Sequence, residues 1–220
     1  MARVKVCGLT NLDDAARAVD LGAWALGMVF WPHSPRRCPH DEAARIAAAM
    51  RRRAELVGVF VDAHLDTVVR AADELSLTML QLHGHEGPSY CAEAARRTGC
   101  KVIKAAKVRT QADLRALQPY HTDFHLLDSG SPAVPGGTGT TWDWSLVDAV
   151  PVNGVPVIAS GGLTPDNVAD AIRAVHPYAV DTASGTESAA GRKDPAKLEA
   201  FFAGSSLSLP HRNAVRQRKT

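Results

Sequence analysis

Val4-Lys5-Val6-Cys7-Gly8-Leu9-Thr10-Asn11 is the stretch on which the reading of the fold turns. Val4 to Val6 reads as a short buried strand. It ends at a cysteine, and Gly8 then frees the backbone to turn. Asn11 is suited to cap a helix whose first turn carries Asp13 and Asp14, acids at the positive end of the helix dipole. The same strand, turn and helix pattern recurs along the chain. Strands are expected at 3–7, 25–30, 55–61, 78–82, 101–106, 123–128, 155–159 and 178–181. Helical patterns are expected at 11–20, 40–52, 64–75, 89–98, 110–117, 143–149, 165–174 and 195–202. From Cys7 to Asp181 the average step is about 25 residues. Eight strands alternating with eight helices predict an α/β fold, a single (β/α)8 TIM barrel over residues 1–204. A doubly wound open sheet is the alternative. It has fewer strands, and its phosphate fingerprint is missing, since Gly136-Gly137-Thr138-Gly139 lacks both the third-glycine spacing and a Walker lysine.

The chain has 220 residues, 45% of them hydrophobic, enough for one sizeable core. It has no run of 18 apolar residues and no charged-then-apolar leader, so a cytoplasmic protein without membrane contact is expected. Cys7, Cys38, Cys91 and Cys100 form no CxxC pair, which predicts free thiols and no metal site. The net charge of +2 owes much to the C-terminus. Residues 205–220 hold Arg212, Arg216, Arg218 and Lys219 and no acid, so residues 1–204 carry −2. This Ser-rich, basic stretch reads as a disordered, solubilising tail, and no nucleic-acid partner is expected. Arg51-Arg52-Arg53 is expected to close a helix, where cations suit the dipole.

A barrel places reacting groups at the C-terminal ends of its strands. The expected ends are Cys7, Phe30, Val61, His83, Ala106, Asp128, Ser160 and Asp181. Cys7, His83, Asp128 and Asp181 can exchange protons, and ionisable groups gathered on one rim point to an enzyme. For Cys7 the competing reading is a small buried apolar residue. Two glycine turns, Ser160-Gly161-Gly162-Leu163 and Ser184-Gly185-Thr186-Glu187, follow strands seven and eight. Those loops are the recurring phosphate site of such barrels. Gly161, Gly162, Ser184 and Gly185 are therefore candidate phosphate binders, and the ligand is expected to be a small phosphorylated metabolite. His85 near His83 hints at a metal, but no third ligand is apparent.

In family order the chain carries Lys5-Val6-Cys7-Gly8-Leu9-Thr10, Ser34-Pro35-Arg36-Arg37, Leu80-Gln81-Leu82-His83-Gly84 and Leu126-Leu127-Asp128-Ser129. Trp142-Asp143-Trp144, Ser160-Gly161-Gly162-Leu163, Val180-Asp181-Thr182-Ala183-Ser184-Gly185-Thr186-Glu187 and Lys193-Asp194-Pro195 follow. With these motifs the chain resembles phosphoribosylanthranilate isomerases over residues 3–203. The resemblance implies an Amadori rearrangement of N-(5-phosphoribosyl)anthranilate in tryptophan biosynthesis, with no cofactor and no metal. It implies Asp128 as general acid and Cys7 as general base. The first role requires a proton on Asp128 at neutral pH. The second requires a thiolate, through a depressed pKa or deprotonation in the substrate complex. Lys5 shares the strand face of Cys7. Arg36, or its rival Arg37, is the candidate anchor for the anthranilate carboxylate. His83 is a candidate for the sugar site, and Asp181 for substrate hydroxyls. The chain departs from the family in having Ala183 where a serine is usual. A related phosphosugar epimerase barrel and a catalytically silent metabolite-binding barrel are the alternatives, and the oligomer is expected to be a monomer or homodimer.

Overall fold

The computed structural model describes residues 2–129, 143–146 and 154–206. Eight parallel strands close into a barrel in sequence order. They are β1 (Arg3–Cys7), β2 (Ala25–Val29), β3 (Glu55–Phe60), β4 (Met79–Leu82), β5 (Lys101–Lys107), β6 (Phe124–Asp128), β7 (Val157–Ala159) and β8 (Ala179–Thr182). The described helices are α1 (Leu12–Asp20), α2 (His40–Met50), α3 (Leu65–Glu74), α4 (Pro88–Thr98), α5 (Gln111–Arg115), α6 (Val168–Val175) and α7 (Pro195–Ser205). A small antiparallel hairpin, β9 (Glu187–Ala189) with β10 (Arg192–Lys193), lies between β8 and α7 and has no counterpart in the sequence expectation. The expected helix at 143–149 and the expected tail lie mostly outside the described residues.

Helix starts follow local chemistry. Asn11 Oδ1 accepts from the Asp14 N–H at 2.9 Å, as its sequence position predicts. Asp194 caps α7, with Pro195 in its first turn. That helix runs through Ser205, whose hydroxyl donates to the Phe202 carbonyl at 2.8 Å. The arginine triplet falls just beyond α2 rather than in its last turn. Met50 ends the helix, Arg52 takes a left-handed φ of 64°, and Arg53 reaches Asp20 at 2.9 Å.

Strand alternation divides the core in two. Val4, Val6, Leu26, Leu56, Leu80 and Leu127 pack outward under the helices. Cys7, Val59, Met79, Ile103, Leu126 and Ile158 fill the barrel. At the strand starts Trp24, Phe124 and Tyr178 meet ring to ring at 5.1–5.6 Å and close the barrel floor. The polar interior lies above them. Lys5 and Asp181 are cross-strand neighbours in the β1–β8 ladder, and their side chains form a 2.8 Å ion pair inside the barrel. Removing one member would leave a buried charge without its partner. Lys5→Met is therefore expected to lose about 3–5 kcal/mol of unfolding free energy in a urea titration, and the Lys5→Met/Asp181→Leu double variant to lose less than the single one.

Candidate active site

Cys7 ends β1 facing inward and is buried. Its neighbour on β2 is Gly27, where an added methyl carbon would lie 2.8 Å from the Cys7 sulfur, so the glycine makes the thiol's space. Lys5 stands two residues behind it, fully buried, and interacts with both the thiol and Asp181. A second lysine arrives from β10. The Lys193 ammonium is buried and donates to the Ala183 carbonyl at 2.8 Å and to Glu187 Oε1 at 3.4 Å. Burial pushes the Cys7 thiol above its usual range and Asp181 adds to that, while Lys5 and Lys193 oppose it. The unliganded chain thus lacks the depressed thiol pKa that the base role allows, because desolvation outweighs both cations. Burial also draws the Lys193 ammonium down, against Glu187. For Lys5, Asp181 and Cys7 together outweigh desolvation and hold its pKa up.

Asp128 closes β6 on the same rim. His83 follows β4, with Nε2 4.0 Å from Asp128 Oδ2. Its Nδ1 lies 2.8 Å from the Gln81 amide nitrogen. With that amide as donor, the neutral ring carries its proton on Nε2, the atom facing Asp128. Burial keeps His83 below the usual histidine range, although Asp128 pulls it upward. Among the described residues Gln81 Oε1 is buried and has no hydrogen-bond partner.

Arg36 crosses from the β2–α2 loop to the tip of β1. Gly8, with φ of 76°, is where its stem rests, and an added methyl carbon there would lie 2.8 Å from Arg36 Cδ. The guanidinium is gripped by Glu187 of β9. Nε lies 2.9 and 3.0 Å from the two carboxylate oxygens, and Nη2 lies 2.8 Å from Oε2. Arg37 is exposed. Of the two candidate arginines, Arg36 is the one brought to the rim.

The glycine turns after β7 and β8 meet. Gly161 and Gly162 take φ of 85° and 67°. Any side chain at Gly185 would strike the Leu163 carbonyl, so the two loops approach at backbone contact. Ser184–Thr186 forms a short 3-10 turn. A cleft of about 940 Å³ opens against these loops, lined by Gly162, Thr164, Asn167, Ser184, Gly185 and Lys197. The Lys197 ammonium is held over it by the Glu187 carbonyl at 2.9 Å.

Asp181 departs from its expected place. The β1–β8 ladder continues to Val6 and Thr182, so Asp181 lies inside β8, not at its tip. One oxygen takes Lys5 and the other accepts from the Ser160 hydroxyl at 3.2 Å. Lys193, Glu187 and Gln81 received no role from the sequence. A lone glutamine in an apolar strand is the signal that marks Gln81, whereas the hairpin carrying Glu187 and Lys193 is too short to leave one. His85 pairs with Asp62 on the surface, and no group of three potential metal ligands occurs among the described residues.

The sequence profile of N-(5'phosphoribosyl)anthranilate (PRA) isomerase matches residues 4–204. An N-(5'-phosphoribosyl)anthranilate isomerase of Geobacter sp. (strain M21) is 48% identical over 203 residues, 92% of this chain and 97% of the relative. The crystal structure of phosphoribosyl anthranilate isomerase from Thermotoga maritima superposes with a TM-score of 0.85 at 38% identity, covering 93% of this chain and 98% of that one. A phosphoribosyl anthranilate isomerase in complex with reduced 1-(O-carboxyphenylamino)-1-deoxyribulose 5-phosphate gives 0.82 at 37% identity, with coverage of 93% and 98%. The chain belongs to the N-(5'-phosphoribosyl)anthranilate isomerase family and is an isomerase of tryptophan biosynthesis.

Proposed function

We propose that the chain converts N-(5-phosphoribosyl)anthranilate to 1-(2-carboxyphenylamino)-1-deoxyribulose 5-phosphate with Asp128 as general acid and Cys7 as general base. The observation that carries the assignment is that both groups stand on one barrel rim, bracketed by an arginine clamp and two glycine loops. Asp128 gives its proton to the ribose ring oxygen. The C1–O bond breaks, and the anilino nitrogen supplies the electron pair that makes the iminium. The Cys7 thiolate then takes the C2 proton, and the C2–H electrons form the C1–C2 double bond of an enolamine. Proton transfer to C1 and from the C2 hydroxyl yields the ketone. Atoms and charge balance without an added reagent.

The charges around Cys7 favour this order of events. Before ring opening the buried thiol keeps its proton; on ring opening that proton leaves to solvent, and solvent returns one to Asp128 when the cycle closes. The iminium adds a positive charge beside C2, and with Lys5 and Lys193 it favours the thiolate when that base is needed. His83 presents Nε2–H toward Asp128 and the sugar. The phosphate is held by backbone N–H groups of Gly161, Gly162, Ser184 and Gly185, with Lys197 adding charge from the cleft edge. Arg36 takes the anthranilate carboxylate. Asp181 holds Lys5 and Ser160 in place, a role its engagement on both oxygens favours over direct contact with substrate hydroxyls. The chain acts in the cytoplasm as a monomer or homodimer. Among the described residues no helix is long and apolar enough to cross a membrane, and one solved relative consists of monomers generated from the dimeric phosphoribosylanthranilate isomerase of Thermotoga maritima.

Loss of anthranilate-type fluorescence on adding phosphoribosylanthranilate reads the reaction directly. Cys7→Ser and Asp128→Asn are each expected to lower kcat by about 10² or more, the scale of a lost general acid or base. A near-normal rate for either variant removes its assigned role. The raised thiol pKa makes a separate prediction. A thiolate is the species that alkylates, and the usual thiol value is 9.0. The rate of Cys7 carboxamidomethylation in the unliganded protein, followed by peptide mass mapping, should therefore still be climbing above that pH. A plateau near pH 7 would show a preformed thiolate instead.

A further inference from the structure

We propose that Glu187 is a positioning residue that fixes the Arg36 guanidinium and so sets the preference for a carboxylated aromatic amine. The proposal rests on the reading of Arg36 as the carboxylate anchor. A guanidinium has two edges that fit a planar carboxylate, the Nε/Nη2 side and the Nη1/Nη2 end. Glu187 occupies the first with both oxygens, at 2.8–3.0 Å. Among the described residues no acceptor engages Nη1, which leaves the end-on fork for an incoming carboxylate.

The burial of the pair matches this division. The Glu187 side chain is 5% exposed and that of Arg36 28%, so the inner edge of the guanidinium is closed off and its outer part is open. Glu187 is itself held firmly. Its Oε1 accepts from the Gly191 N–H and from the Lys193 ammonium, at 3.3 and 3.4 Å. The hairpin is tied to the start of α1 by the Lys193 N–H on Asp14 at 2.9 Å and by the Thr10 hydroxyl on the Gly191 carbonyl at 2.5 Å. The flexible arginine stem is thereby pre-ordered on Gly8 before substrate arrives, which lowers the ordering penalty of binding. Because Lys193 shares the carboxylate, Glu187 does not cancel the charge of Arg36. Glu187 also follows directly on the Ser184–Thr186 turn, so one side chain joins the phosphate loop to the carboxylate clamp.

Glu187→Gln isolates the contact. With its oxygen at the Oε1 position, glutamine still accepts from Arg36 Nε, Gly191 and Lys193. Its NH₂ then faces Arg36 Nη2, donor against donor, and the fork must turn away. Steady-state kinetics should be measured on phosphoribosylanthranilate and on the phosphoribosyl derivative of aniline, which lacks the carboxyl group. Glu187→Gln is expected to raise KM for the carboxylated substrate about tenfold, the scale of one charge-assisted hydrogen bond. Any fall in kcat, through Lys193 losing its anionic partner, should be equal for the two substrates, and the aniline derivative should show no matching KM rise. In an Arg36→Ala background the same change should add no further KM loss. Glu187→Asp, which withdraws the carboxylate by one methylene, reads the same substrate contrast should the glutamine variant fail to fold.

Equal KM losses on both substrates, or full additivity with Arg36→Ala, would overturn the role of Glu187. In that case Arg36→Ala alone still shows a loss confined to the carboxylated substrate. If Arg36→Ala shows no such loss, the anchor reading falls, and this proposal with it.

Discussion

The ion pair between Lys5 and Asp181 sits at the seam where the first strand meets the last, and the catalytic rim is built on it. These residues are cross-strand neighbours in the ladder that closes the barrel. Two charges without water are costly unless each finds a partner in good geometry. The 2.8 Å contact supplies that, and the Ser160 hydroxyl occupies the second oxygen of Asp181. Correct closure of the barrel is therefore also the condition for neutralising its interior. The same seam carries Cys7 two residues above Lys5 and the start of the β8 glycine loop three residues above Asp181. Chemistry and closure share one structural element.

The polar interior is one-sided. Trp24, Phe124 and Tyr178 close the floor, with the Arg3 guanidinium over the Tyr178 ring at 4.2 Å. Titratable groups occupy the other end, where β-strand tips are free of the ring cluster. The outer shell holds charge as well, but in a different manner. Lys104 and Glu86 pair at 2.9 Å between the barrel and its helices, and Glu86 also takes the Asp62 and Gly84 N–H groups. That pair is saturated with local donors and shapes a loop. Among the described residues the rim groups keep unsatisfied capacity, seen in Gln81 Oε1 and the open edge of Arg36.

Most of the fold was legible in the sequence because each βα unit is a local pattern. Apolar runs, a capping Asn11 and a Pro195 start are read over a few residues, and the strand limits agree to within about two residues. The roles of charged residues were less legible, because partners are set by register. Lys5 and Asp181 are 176 residues apart, and only the closing ladder puts them side by side. Asp181 was misplaced at a strand tip for the same reason, since nothing local shows that the β1–β8 ladder runs on to Thr182. The β9–β10 hairpin has two- and three-residue strands around Gly191, too short for a periodic signal. Glu187 and Lys193 ride on that hairpin, which is why their approach to Arg36 and Cys7 had to be seen in three dimensions. Arg36 and Arg37 could not be separated in sequence either, and the bed at Gly8 separates them.

The charge balance also gives a reason for a thiol at the tip of β1. Lys5 is already matched by Asp181, and Lys193 is shared with Glu187. A carboxylate at position 7 would add a permanent anion beside Asp181, in a site whose two lysines are already spoken for. Such a charge would either be repelled or draw Lys5 away from the closing pair. A buried thiol remains neutral in the resting barrel and avoids that conflict. Its raised pKa is then a consequence of the stable architecture, and in the proposed mechanism a cation appearing on the substrate offsets it. Under that proposal base strength is supplied at the step that needs it.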